Sequence, residues 1–133
     1  LFAISNSRRP SIMASELRVN TLKDAAGNNS IATSFVAGGS AKAWHKANAA
    51  GTTLNDSFNV SSLGDQGTGQ QVINLTSSMN NANYMGAQGV WTNISEPFLF
   101  SQATSSYKSY TYDEAGGAYT DAEQGSMIMG DLA

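Results

Sequence analysis

The chain contains no cysteine, so neither disulfides nor thiolate metal ligands can stabilise it, and stability must come from packing or from association of subunits. Charge is also scarce. Only 13% of the 133 residues are Asp, Glu, Lys or Arg, where about 25% is usual in globular domains. With a net charge of −3, nothing supplies the basic field that nucleic acid requires or a polybasic membrane anchor. No apolar run approaches the roughly 20 residues of a membrane-spanning helix, so no membrane insertion is expected. There are two prolines, and Pro97 is expected to begin or interrupt a strand because it cannot donate to a ladder.

What fills the space is Ser, Thr, Asn, Gln and Gly, a neutral hydrogen-bonding surface suited to β-structure and to contacts between subunits. The length fits one ordinary domain with a real core. The opening LFAISNSRRPSI holds only four consecutive apolar residues, with Arg8 and Arg9 after them, which is the reverse of a secretory leader. Residues 1–12 are therefore expected to be a leader of unclear origin, either retained from upstream of a natural start at Met13 or added artificially to the chain.

Hydrophobic alternation predicts strands. In SAKAWHKANAA (residues 40–50), Ala41, Ala43, His45 and Ala47 alternate with Lys42, Trp44, Lys46 and Asn48; strand is the preferred reading over a serine-capped helix. Phe58 and Val60 alternate with Ser57, Asn59 and Ser61, and Gln71, Ile73 and Leu75 share a face beyond the turn GDQGTG, which predicts a hairpin. Further strands are expected at 82–91, 98–103, 107–112 and 126–130. Many short strands between turns point to an all-β fold, a small antiparallel β-sandwich or barrel. Residues 16–36 are polar around a central DAAGNNS turn and bury little, so they read as an arm joined to the β-domain by Gly38 and Gly39. The expected division is thus 1–12 leader, 13–39 attachment or oligomerisation arm, and 40–133 β-sandwich domain.

Catalytic signals are weak. His45 is the only histidine, with no second histidine to complete a common metal set, and is expected to be structural or on the surface. Asp113, Glu114, Asp121 and Glu123 read as a solvated acidic loop; their spacing does not match an EF-hand. GDQGTG lacks the spacing and following helix of a dinucleotide site. No catalytic residue, cofactor or metal is assigned. Tyr107, Tyr110, Tyr112 and Tyr119 cluster late in the chain, and Tyr110 and Tyr112 share a strand face. Tyrosine offers rigid, amphipathic contact area, so these four are the candidate receptor-contact residues, against the plainer reading that tyrosine simply favours strands.

SELRVNTLKDAAGNNSIATSFVAGGSAKAW, then DSFNVSSLGDQGTG, MNNANY and the closing MIMGDLA, resemble small virion and tail-fibre segments of marine bacteriophages infecting cyanobacteria and ocean heterotrophs. The resemblance spans most of residues 13–133. It departs at HKANAAGTTLND and over residues 96–124, where ligand-contacting loops would vary. It implies a non-enzymatic structural protein on the phage particle, made in the host cytoplasm. The role would be a tail-fibre or appendage component, or alternatively a capsid decoration protein. It further implies a jelly-roll-like head and a homotrimer contacting other virion proteins and a host-surface glycan or protein. A free-standing carbohydrate-binding module is the expectation from a different class. The apolar residues of the arm, Leu17, Val19, Leu22, Ile31 and Phe35, are the candidate oligomerisation contacts.

Overall fold

A computed structural model describes residues 17–91 and 96–133; the leader 1–12 lies outside the described residues. The chain divides into two compact units, Leu1–Thr33 and Ser34–Ala133.

In the first unit, β1 (Thr21–Lys23) pairs antiparallel with β2 (Ser30–Ala32), Leu22 opposite Ile31. The DAAGNNS segment turns between them. The Asp24 carboxylate accepts hydrogen bonds from the Asn28 and Asn29 backbone and from the Asn29 side chain, at 2.9, 3.3 and 2.7 Å. These bonds, that of the Asn29 side chain foremost, hold its pKa below the usual carboxylate range. Gly27 takes the left-handed conformation (φ 72°) that such a turn requires. The expected arm is therefore a small hairpin here. A short helix follows that the sequence pattern did not announce, α1 (Thr33–Gly39), none of whose residues is buried. Its two closing glycines and lack of an apolar stripe hide it from periodicity arguments.

Apart from α1, the described strands of the second unit are all antiparallel. One sheet has the order β4 (Leu54–Phe58), β3 (Ala41–Ala47), β11 (Gln124–Met129), β7 (Met85–Val90). The other has β5 (Val60–Asp65), β6 (Gln70–Leu75) and β9 (Ser106–Asp113) in that order. The same edge of β9 that pairs β6 goes on to pair β10 (Ala118–Tyr119), while β8 (Glu96–Phe100) also pairs with β9. The alternation expected over residues 40–50 is realised as β3, and Gln71, Ile73 and Leu75 are all buried, as their shared face implied. The core cluster draws Ala43 and Ile128 from the first sheet and Ile73, Leu75 and Tyr107 from the second, closed by Met79 and Tyr84. Burying each large apolar side chain contributes about 1.5–3 kcal/mol.

One expectation needs correcting. The alternating run at 57–61 is not a single hairpin strand but the end of β4 and the start of β5, which belong to different sheets. The change happens at Asn59, whose φ of 55° lies in the left-handed region that asparagine tolerates better than most residues. Its side-chain amide donates to the Lys42 and Ser77 carbonyls at 3.0 and 3.1 Å and accepts from the Ser77 N–H at 2.7 Å. The corner is thus held by one residue whose side chain does the work of two strands' missing partners. The hairpin itself survives as β5–β6, turning at Gln66–Gln70 where the Gln70 N–H meets the Gly67 carbonyl.

Candidate functional site

Every second residue of the β4–β3–β11–β7 sheet points outward, away from the core cluster. In-register pairing places Phe58, Trp44, Met127 and Ala87 in one row across the four strands, and Asp56, Lys46, Gly125 and Gly89 in the next. The first row is apolar and open to solvent: Phe58 is 54% exposed, Trp44 37% and Met127 46%. The second row pairs two glycines on neighbouring strands, which leaves a trough in the sheet surface.

Trp91, one residue past β7, lies over that trough. A side chain at Gly125 would come within 3.1–3.2 Å of the Trp91 ring, so the glycine is what admits the indole. The Lys46 ammonium stands 4.9 Å from the ring centroid, a cation–π distance, and 2.7 Å from the Glu123 carboxylate. Over Gly89 there is open space: nothing lies within 4 Å of where its Cβ would be. The resulting groove, about 440 Å³, is lined by Trp44, Lys46, Ala87, Gly89, Trp91 and Met127. Both tryptophans of the chain therefore meet at one outward face. Sequence reasoning missed this site. The available signal was parity, since Trp44, Lys46, Gly125 and Met127 all occupy the phase opposite to the buried alanines, His45 and Ser126.

The inward face of the same sheet carries a polar layer. His45 and Ser126 are register partners, with Nδ1 and Oγ 3.1 Å apart. The Tyr107 hydroxyl of the opposite sheet stands 2.8 Å from that Oγ and 3.3 Å from that Nδ1. Nearby, the Gln124 side-chain carbonyl accepts from Gln88 at 2.7 Å and from the Ser109 hydroxyl, and Gln88 also donates to the Tyr110 carbonyl at 3.1 Å. Burial pushes the His45 pKa down to about 4 and the Tyr107 hydroxyl up to about 12, so both are neutral at pH 7. A serine beside a histidine suggests nucleophilic chemistry, yet Ser126 is 7% exposed and His45 3%. A neutral imidazole with so low a pKa is a weak base, and the triangle ties the sheets together. Four buried polar atoms among the described residues have no protein partner: His45 Nε2, Gln71 Oε1, Gln88 Oε1 and Gln124 Nε2.

The four tyrosines part company. Tyr107 is fully buried and bonded to Ser126, so it is corrected from a receptor contact to a core residue. Its phase along β9 is that of Ser109 and Thr111, which face the other sheet. Tyr110 and Tyr112 take the opposite phase, as expected. Tyr119, opposite Tyr112 in the β9–β10 pairing, stacks near both, with ring centroids 5.5 Å from each. Tyr110 is thereby covered to 9% exposure, Tyr112 is half-buried, and only Tyr119, at 41%, is open.

The acidic loop is less free than its composition suggests. Asp121 accepts the Gly69 N–H at 2.6 Å and so fastens the GDQGTG turn to the β10–β11 connection, while Glu123 is the partner of Lys46. Among the described residues no group of three His, Asp or Glu side chains is placed to hold a metal ion. Among the described residues the large apolar side chains of the first unit are open: Leu17 is 79% exposed, and Val19, Leu22 and Ile31 are exposed likewise, as is Phe35 in α1. Comparison with protein-family models, curated proteins and solved structures finds no match for this chain.

Proposed function

We propose that this chain is a non-enzymatic structural protein of a bacteriophage particle, a tail-fibre or appendage component with host-surface recognition. On this reading the two sheets of Ser34–Ala133 work as a small jelly-roll-like sandwich, and the segment before it joins three subunits. The observation that carries the proposal is the exposed apolar set Leu17, Val19, Leu22, Ile31 and Phe35. A hairpin of two three-residue strands is marginal by itself, and the five open apolar side chains within residues 17–35 call for partners. Copies of the same chain, arranged with closed symmetry, supply them without a second gene product. The motif resemblance to marine phage virion proteins supports the same assignment, and low charge suits subunit interfaces.

Light scattering on the purified full chain tests this. A mass of three subunits is expected, falling to one when Leu22→Glu and Ile31→Glu are combined. A monomer whose mass is indifferent to both substitutions would overturn the proposal. Capsid decoration is the nearest alternative and differs only in where the protein sits, which imaging of labelled particles separates. The tryptophan groove favours a second reading from another class, a free-standing carbohydrate-binding module; this requires a monomer that binds glycan.

A further inference from the structure

We infer that the groove around Trp91, Lys46 and Glu123 binds an uncharged pyranose ring of a glycan, an inference that rests on the host-surface reading and names its ligand. The indole is held over the sheet by the missing side chain at Gly125 and keeps 59% of its surface open. An indole so placed offers a flat π-face to the C–H side of a sugar ring. Trp44, on the adjacent row, widens the aromatic surface.

Charge complementarity selects the class of ligand. Lys46 and Glu123 form a neutral pair 2.7 Å apart beside the indole. The pair presents ammonium donors and carboxylate acceptors together, which is what hydroxyls, both donor and acceptor, require. An anionic ligand would meet Glu123 and also Asp56, which is in register with Lys46. A wholly apolar ligand would strip water from the ion pair without replacing its hydrogen bonds. The volume, about 440 Å³, falls in the roughly 300–1,000 Å³ range of small-molecule sites. The space above Gly89 leaves the groove floor accessible.

The test titrates the full chain with maltotriose, cellotriose and mannotriose, with heparin as the sulfated control, following tryptophan fluorescence and calorimetry. At least one neutral trisaccharide is expected to bind and heparin not to. Trp91→Ala and Gly89→Leu should each weaken binding roughly tenfold or more, the worth of one aromatic stacking contact. Gly89→Leu meets nothing in the fold at its first atom, so its unfolding midpoint should stay near that of the parent. Absence of binding by all three neutral sugars, binding of heparin alone, or affinity indifferent to both substitutions overturns the inference. A change of subunit mass in Gly89→Leu also overturns it, by making this face an interface between copies. A protein that keeps its trimer mass but binds no trisaccharide leaves the appendage reading standing, whereas a monomer that binds trisaccharide defeats that reading and keeps the sugar site.

Discussion

The two faces of the β4–β3–β11–β7 sheet are built from the same strands in alternate phase, and they are inverted relative to the usual arrangement. The inner face of β3 and β11 carries Ala43, His45, Ala47, Gln124, Ser126 and Ile128, all buried and, apart from Ile128, small or polar. The outer face carries Trp44 and Met127 with Lys46 beside them, the bulkiest apolar residues on those strands, and they are open. Small inner residues make room for the large Tyr107 arriving from the opposite sheet, whose hydroxyl needs the polar partners it finds. The large outer residues keep 37% (Trp44) and 46% (Met127) of their surface open, a cost in exposed apolar area that goes unrewarded unless something covers them. The difference separates residues kept for the fold from residues kept for contact.

The sharpest way to break that separation is to cut adjacent residues of β11. Ile128 is fully buried, and Ile128→Ala should lower unfolding free energy by about 2–5 kcal/mol. Met127, its neighbour on the other face, is 46% exposed, and Met127→Ala should change stability by roughly 0.5 kcal/mol or less. Urea denaturation of both variants checks this; equal losses would mean that the outer face is as much a part of this subunit's core as the inner one.

Acid should act on the inner face of this sheet. The folded-state pKa of His45, about 4, lies below the unfolded value of 6.5. Between those values the unfolded chain binds the proton and the folded chain does not. Stability is therefore complete above about pH 6.5 and falls as the pH drops towards 4. At pH 4.5 the loss is roughly 2–3 kcal/mol, read from denaturation curves at pH 7 and pH 4.5. His45→Gln should be less stable at pH 7 but should lack this dependence. A parent protein whose stability is flat over the same range would place His45 in contact with water.

Much of the fold was legible because alternation is local: β3, β6 and the hairpin turn at GDQGTG follow from residues two apart. What alternation cannot say is which of its two phases faces the partner sheet. Tyr107 and Tyr110 occupy opposite phases of β9, and only the packing of the other sheet decides that Tyr107 goes inside. The sheet change at Asn59 was hidden for a related reason, since the apolar–polar alternation of the sequence runs on through it although Phe58 ends on the outer face and Val60 packs against the core. The groove required three facts from distant parts of the chain: Trp91, Gly125 and the register that sets Lys46 beside that glycine. Each is unremarkable alone, whereas the apolar residues Leu17, Val19, Leu22 and Ile31 could be named from the sequence as candidate contacts, though not seen to be open.

The smallest effect is the most discriminating, because it compares two glycines in one row. A methyl group at Gly125 would meet the His45 carbonyl oxygen at 2.7 Å and the Trp91 ring at 3.1 Å. Gly125→Ala should therefore cost about 1–3 kcal/mol through backbone displacement and alter tryptophan fluorescence. At Gly89 the same methyl group meets nothing within 4 Å. Glycine inside a strand carries a conformational entropy penalty, so Gly89→Ala should be neutral or stabilising by about 0.5 kcal/mol. Selection for stability alone would then have no reason to keep glycine at 89. A measured gain there argues that the open floor serves whatever occupies the groove, while a loss comparable to that at Gly125 argues that the trough is only a by-product of how β11 and β7 pack.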